Sequence, residues 1–230
     1  MKNPPLVKGT LIKRYQRFLA NVKMPNGKNI TAAVPNTGRM ITCSEPGSTI
    51  YMSIDNNPNR KFQYTWELTK TKTSLVGVNT NVPNKIVYRA LKKGQIPELE
   101  GYREIRKEVK YGENSRVDLL LLKGKEQCYV EVKNVTLVEN GVARFPDAVT
   151  TRGLRHLHEL TAMVEAGHRA AMFYFVQRED ATLFKPADDI DPEYSQALRE
   201  AHAKGVEIIV YDARVSVEEI LLGKPLPFEL

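Results

Sequence analysis

The run Arg116-Val117-Asp118-Leu119-Leu120-Leu121-Leu122 constrains this chain more than any other segment. Its consecutive leucines leave no polar face, so a strand there must be covered on both sides, at the centre of a layered sheet. A carboxylate at the start of such a strand is costly unless something compensates it. A polar turn at 123–126 follows, then Cys128-Tyr129-Val130-Glu131-Val132-Lys133. Glu131 and Lys133 are two apart and share a face. A loop at 123–126 sets Asp118 directly opposite Glu131 across the hairpin. The two carboxylates then meet with Lys133 as the nearby cation.

Metal chemistry accounts for that arrangement. Mg²⁺ takes oxygen ligands and retains waters, so one or two carboxylates and a phosphate oxygen suffice, and Mn²⁺ fits equally. Asp118 and Glu131 are the candidate ligands, with the backbone carbonyl of Val132 as another. The ion would activate a water and polarise a phosphate. Lys133 would orient that water or stabilise the developing charge. Without metal, the mutual repulsion of the pair should raise at least one carboxyl pKa. The competing reading is a solvent-facing hairpin whose Asp, Glu and Lys simply alternate outward, and the bare spacing arises often by chance.

The segments around this hairpin set the architecture. The first part gives short strands at 11–24, 30–34, 49–54, 65–71 and 75–80, separated by Pro25-Asn26-Gly27, Pro35-Asn36-Thr37-Gly38 and Asp55-Asn56-Asn57-Pro58. Five short strands with such turns predict a small closed barrel of the OB type. After Pro83 the period changes. A helix is predicted over 84–93, stopped by Gly94, then strands at 104–111, 116–122 and 128–135. A helix over 148–166, a buried strand at 170–176, a helix opened by Asp191-Pro192 and a strand at 206–211 follow. Ser216 is expected to cap a short last helix. The division is residues 1–84 for the barrel and 85–230 for a mixed sheet with helices packed on it.

Charge is divided unevenly between these parts. Residues 1–85 hold thirteen Lys and Arg against Glu45, Asp55 and Glu67, while the remainder is slightly acidic. That asymmetry points to a polyanionic partner. Lys13, Arg14, Arg17, Arg39, Arg60 and Lys61 are the phosphate-contact candidates in the barrel, interleaved with Tyr15, Phe18, Phe62, Tyr64 and Trp66. Phe18 and Trp66 are expected in the core. Arg152, near the start of the long helix, is a further candidate, because free N–H groups point outward there. His156 and His158 diverge on that helix, so they do not form a zinc pair. With two cysteines, Cys43 and Cys128, no disulfide framework is implied. No apolar run is long enough to span a membrane and the first residues are unlike a signal peptide, so a reducing cytoplasm is the expected location.

At these residues the chain resembles the sugar fermentation stimulation protein A family. The matching segments run from Leu11-Ile12-Lys13-Arg14-Tyr15-Gln16-Arg17-Phe18-Leu19-Ala20 through Pro35-Asn36-Thr37-Gly38-Arg39-Met40 and Thr65-Trp66-Glu67-Leu68 to Ser115-Arg116-Val117-Asp118. They continue through Tyr129-Val130-Glu131-Val132-Lys133-Asn134-Val135-Thr136-Leu137 and Phe145-Pro146-Asp147-Ala148-Val149-Thr150-Thr151-Arg152-Gly153. The resemblance implies an N-terminal OB-like domain and a C-terminal PD-(D/E)xK nuclease-like α/β domain. It also implies DNA binding of low sequence specificity and a link to the regulation of sugar (maltose) metabolism. Asp118, Glu131 and Lys133 match the nuclease motif. Many nucleases of that fold add an acid from the first helix. The segment 84–93 has none, and Glu108 could substitute from the first strand, the alternative being a surface ion pair with Lys110.

Two functions follow as expectations. One is a Mg²⁺- or Mn²⁺-dependent nuclease acting on single- or double-stranded DNA. The other is a non-catalytic DNA-binding regulator on a nuclease scaffold. OB-folds accept RNA as well.

Overall fold

The computed structural model describes residues 1–112 and 115–230. Strands β1 (Leu6–Tyr15), β2 (Leu19–Lys23), β3 (Asn29–Ala33), β4 (Thr49–Ile54) and β5 (Tyr64–Lys70) form the first unit. β1 pairs with both β2 and β4, β4 with β5, and a parallel β3–β5 contact closes the ring. This is the OB barrel expected from the turn spacing. Its interior holds Leu11, Val22, Ile50, Met52 and Trp66, all essentially inaccessible. Each such side chain contributes roughly 1.5–3 kcal/mol by leaving water. The indole N–H of Trp66 donates to the Leu68 carbonyl and to Thr69 Oγ1, so its one polar atom is satisfied. β6 (Leu75–Gly77) extends the sheet beyond β5.

Two expectations for this part are corrected. Residues 11–24 are a hairpin rather than one strand, turning at Gln16 and Arg17, both with positive φ (50° and 63°). Left-handed pairs at hairpin turns usually carry Asn-Gly, so no turn signal was visible here. The side chain of Arg14 supports the turn, donating from Nε to the Arg17 carbonyl at 2.9 Å. That turn also leaves Phe18 half exposed rather than in the core.

The second unit opens with α1 (Val82–Lys92). Ile86, Val87 and Ala90 recur at helical spacing and are buried, and Gly94 follows in a left-handed conformation. β7 (Glu104–Tyr111), β8 (Ser115–Lys123) and β9 (Glu126–Val135) form an antiparallel meander. α2 (Thr151–Glu165) crosses back to β12 (Arg169–Val176), parallel to β9. α3 (Pro192–Ala203) crosses to β14 (Glu207–Val215), parallel to β12. The sheet order is β15-β14-β12-β9-β8-β7, with β15 spanning Ile220–Pro225. α1 covers one face, over Leu119, Leu121, Val130 and Phe173, while α2 and α3 cover the other, over Val117, Leu120, Tyr129 and Tyr174. The leucine run is thus buried on both sides, as a central strand requires.

α2 starts at Thr151 rather than 148, because the Thr150 hydroxyl accepts from the Gly153 N–H and caps it. The helix expected after Ser216 is instead β15. Ser216 Oγ accepts from the N–H groups of Glu218 and Glu219, so it makes a cap's bonds around a turn that no helix follows. A small sheet of β10 (Leu137–Glu139), β11 (Val142–Phe145) and β13 (Leu183–Pro186) has no counterpart among the elements expected from sequence.

The two units are fastened together. Gly77 N–H donates to the Gln177 carbonyl at 2.8 Å, and Gln177 Nε2 donates to the Asn79 carbonyl at 3.2 Å. Asp147 accepts from the Met40 N–H at 2.8 Å. Gly38 and Gly77 lie where a Cβ would come to 2.5 Å from side-chain oxygens of Asp147 and Gln177 respectively, so any larger residue would displace those side chains. Residues 1–3 also reach the second unit, where Asn3 bonds to the backbone of Ser216, Val217 and Glu218.

Candidate active site

Between the two units lies a cleft of about 520 Å³. Asp118, Glu131, Val132 and Lys133 form its floor, α2 contributes Arg152, and the barrel contributes Arg17 and Gly38. The β8–β9 ladder runs from Lys123–Glu126 to Leu119–Val130, and the next pair in that register is Asp118 with Glu131. The turn is one pair tighter than the loop expected at 123–126, with the same facing residues.

The surroundings of the two carboxylates differ. Glu131 is 2% exposed. Its Oε1 accepts from Lys133 Nζ at 2.8 Å and from His156 Nδ1. Burial alone would raise its pKa, but Lys133 and the His156 hydrogen bond outweigh burial and hold it below its ordinary value. Glu131 Oε2 is buried with no hydrogen-bond partner among the described residues. Among the described residues Asp118 has only neutral donors. Asn84 Nδ2 of α1 reaches its Oδ1 at 2.6 Å, and the Val132 N–H reaches its Oδ2 at 2.8 Å. Burial first, and the charge of Glu131 second, push the Asp118 carboxyl up to about 7.

His156 completes the α2 side. It is buried, and Arg152 Nε lies 3.4 Å from its Nε2. Arg152 can only donate, which sets the Nδ1 proton toward Glu131 in a neutral ring, while Lys133 Nζ, also a donor, stands 3.0 Å from that same Nδ1. Sequence pattern alone marks neither Asn84 nor His156 for these roles. The segment 84–93 lacks the acid that the fold suggests there, and its first residue, an amide, makes the contact instead. His156 stands out in sequence on one face of α2 with Arg152 and Glu159, and beside His158 as a zinc pair that the helix separates, but not as a donor to a carboxylate across the sheet.

Glu108 is exposed and borders the cleft, with a positive φ of 53°. It lies beside Asp118 in register, between the Lys107–Leu119 and Val109–Val117 pairs. Among the described residues it makes no ion pair with Lys110. Among those residues, also, no three His, Cys, Asp or Glu side chains gather as a ready-made metal cage. The donor set is therefore Asp118, Glu131 and backbone, which suits a hard cation that retains water. An orphaned buried carboxylate oxygen beside a carboxyl with a raised pKa fits such an ion.

The barrel cations are not equivalent. Arg14 donates to the carbonyls of Arg17, Asn36, Gly38 and Arg39, so its guanidinium braces the loop at 36–39. Arg60 is paired with Asp55 and bonded to Thr65 Oγ1. Lys13 and Lys61 lie over the rings of Tyr15 and Phe62 at 6.0 and 5.6 Å. Arg17 and Arg39 are exposed, and of these six only Arg17 lines the cleft.

Residues 12–78 match the model of the SfsA N-terminal OB domain, and residues 81–219 match the sugar fermentation stimulation protein RE domain. The chain belongs to the sugar fermentation stimulation protein family. A sugar fermentation stimulation protein homolog of Geotalea daltonii is 53% identical over 97% of both chains. One from Geobacter sulfurreducens is 52% identical over 97% of this chain and 96% of its own. The solved structure of Pyrococcus furiosus SfsA in complex with Ca²⁺ superposes with a TM-score of 0.91 at 29% identity, covering 100% of this chain and 98% of that one. The OB barrel followed by an α/β unit is thus the architecture of this family. No described helix is long and apolar enough to cross a membrane.

Proposed function

We propose that this chain binds nucleic acid, DNA foremost, with little sequence preference and hydrolyses its phosphodiester bonds with a divalent cation, Mg²⁺ or Mn²⁺. The observation that carries the reading is the buried Asp118–Glu131 pair beside Lys133, with only neutral donors bonded to Asp118 among the described residues. Asp118, Glu131 and the Val132 carbonyl would hold the ion. Pyrococcus furiosus SfsA was solved in complex with Ca²⁺, which supports a divalent cation as the partner of this chain too. Bound there, the ion supplies Lewis-acid polarisation of a phosphate oxygen.

The remaining chemistry belongs to the chain. A water adds to phosphorus, one P–O ester bond breaks, and the leaving oxygen takes a proton. The Lys133 ammonium stands at the cleft floor, where it stabilises negative charge developing on phosphate. Glu131 fixes that ammonium, and His156 fixes Glu131. Arg152, at the first turn of α2, meets a backbone phosphate in the cleft. Arg17 does the same from the barrel, and Arg39, exposed outside the cleft, would meet the backbone further along. Glu108 borders the same centre and is a candidate to hold a water.

One observation favours a second reading, a DNA-binding regulator without turnover. Asn84 occupies the place on α1 from which many nucleases of the PD-(D/E)xK fold extend an acid. A cleavage assay on labelled single- and double-stranded DNA with Mg²⁺ or Mn²⁺ separates the two. Cleavage by the native chain, lost in Glu131→Ala and Lys133→Ala while DNA binding persists, is the result expected. Binding without cleavage in all three contradicts the nuclease and leaves the regulator.

A further inference from the structure

Asp118 lies on the shared wall of two cavities. The first is the interdomain cleft. The second, of about 740 Å³, is lined by Lys85, Tyr88 and Arg89 of α1 and Lys107 of β7. Thr80, Asn81, Asn84, Glu108 and Asp118 border both. The carboxylate centre is therefore a point along a groove and not its blind end.

The chemistry of the second arm is specific. Lys85 and Arg89 are one helical turn apart and exposed, on the face of α1 opposite Ile86, Val87 and Ala90. Lys107 is exposed on β7, with Nζ 4.8 Å from the centre of the Tyr88 ring. Among the described residues none of the three cations has a carboxylate partner. Unpaired cations around a half-exposed aromatic ring match a phosphodiester backbone with a base stacked beside it. The first arm carries Arg17, Lys133 and Arg152. Cations thus flank the acidic centre on both sides, and the acids lie where a scissile phosphate would pass.

We infer that a polynucleotide strand runs through this groove, in by the interdomain cleft, past Asp118 and out along α1 and β7. Lys85, Arg89 and Lys107 hold its phosphates on the far side, and Tyr88 stacks a base. The inference rests on the nucleic-acid reading above and adds a path and a consequence: the strand needs no free end. A covalently closed single-stranded circle binds as well as a linear strand, and cutting begins internally.

The test is a binding titration of the full chain at several salt concentrations. The probes are linear and closed-circular single strands, each as DNA and as RNA, so the arms also identify which backbone is preferred. Lys85→Gln/Arg89→Gln/Lys107→Gln is compared with Lys123→Gln/Lys125→Gln/Lys204→Gln, which removes equal charge outside both cavities. The groove variant is expected to bind about tenfold more weakly or worse, with its salt slope reduced by about 2, and the control to bind as the native chain does. Tyr88→Leu, which changes no charge, weakens binding by about tenfold. Matching thermal melts establish that each variant is folded. Equal losses in the two triple variants, or a circle that fails to bind where the linear strand binds, overturn the inference alone. A native chain that binds none of the probes, and no duplex DNA in a parallel titration, overturns the nucleic-acid reading beneath it as well.

Discussion

The α2 side and the α1 side of the site treat a buried carboxylate in opposite ways. On the α2 side, Glu131 has a full cation, Lys133, and a histidine N–H. On the α1 side, Asp118 has an amide and a backbone N–H, both neutral. The first carboxyl is held below its ordinary pKa and the second is pushed up to about 7. Low-dielectric burial acts on both, so the difference comes from the charge supplied by neighbours. On the α2 side Glu131 Oε1 is charge-compensated as folded, while its Oε2 is left open toward an ion. On the α1 side no cation is bonded to Asp118 among the described residues, and a divalent cation would supply that contact.

The sharpest way to break this contrast is at Glu131. Replacing it by Ala removes the acceptor shared by Lys133 and His156, and destabilisation of about 3–5 kcal/mol is expected, as for other broken buried pairs. Glu131→Gln keeps the shape, and a chemical-denaturation curve should show a smaller loss while cleavage disappears. A Glu131→Ala protein as stable as the native chain would mean that the pair is not coupled.

At Asp118 the expected sign is reversed. A carboxyl whose folded-state pKa lies above its unfolded value favours folding when protonated. Its contribution is full below about 4 and is lost as pH rises through about 7. The metal-free protein should lose on the order of a few kcal/mol of stability over that window. Asp118→Asn should abolish the decline and be more stable than the native chain at pH 8. Glu131, with its lowered pKa, contributes in the opposite sense: its stabilisation is present above its unfolded pKa and is lost as pH falls through the folded one. A native curve that rises between pH 4 and 7 with no difference from Asp118→Asn would remove the contrast.

A smaller effect is expected in the barrel. Arg14→Ala frees four backbone carbonyls and should lower stability by about 2–3 kcal/mol. Arg60→Ala removes an exposed pair with Asp55 and should leave the thermal midpoint nearly unchanged. A graded change is expected at His156→Gln. An amide can still donate to Glu131, so cleavage should fall less than in His156→Ala, with the same DNA affinity in both. Equal losses in the two would mean that the donated hydrogen bond to Glu131 is not what matters at 156.

The sequence carried the hairpin site because its signals are local. Leu119 to Leu122 demand a covered strand, and the short turn fixes which residues face each other. The barrel was legible for the same reason, through Pro, Asn and Gly at its turns. What was not legible depends on contacts far along the chain. The Gln16-Arg17 turn has no turn residue of its own and relies on Arg14. Ser216 makes cap-like bonds without a helix, so a local signal pointed to the wrong element. Asn84 and His156 reach the site across 34 and 25 residues respectively, and only the folded sheet brings them to Asp118 and Glu131. The basic count of the barrel also misled in one respect, since Arg14 and Arg60 make internal bonds and only the fold reveals which cations remain unpaired.

The most direct measurement is isothermal titration of Mn²⁺ into the native chain and into Asp118→Asn at pH 8, with thermal melts of both in the presence and absence of the ion. One bound ion per native chain and a melting temperature raised by the ion, both absent in Asp118→Asn, are the predicted results. Equal binding and equal shifts in the two proteins, or none in the native chain, would contradict a cation held by Asp118.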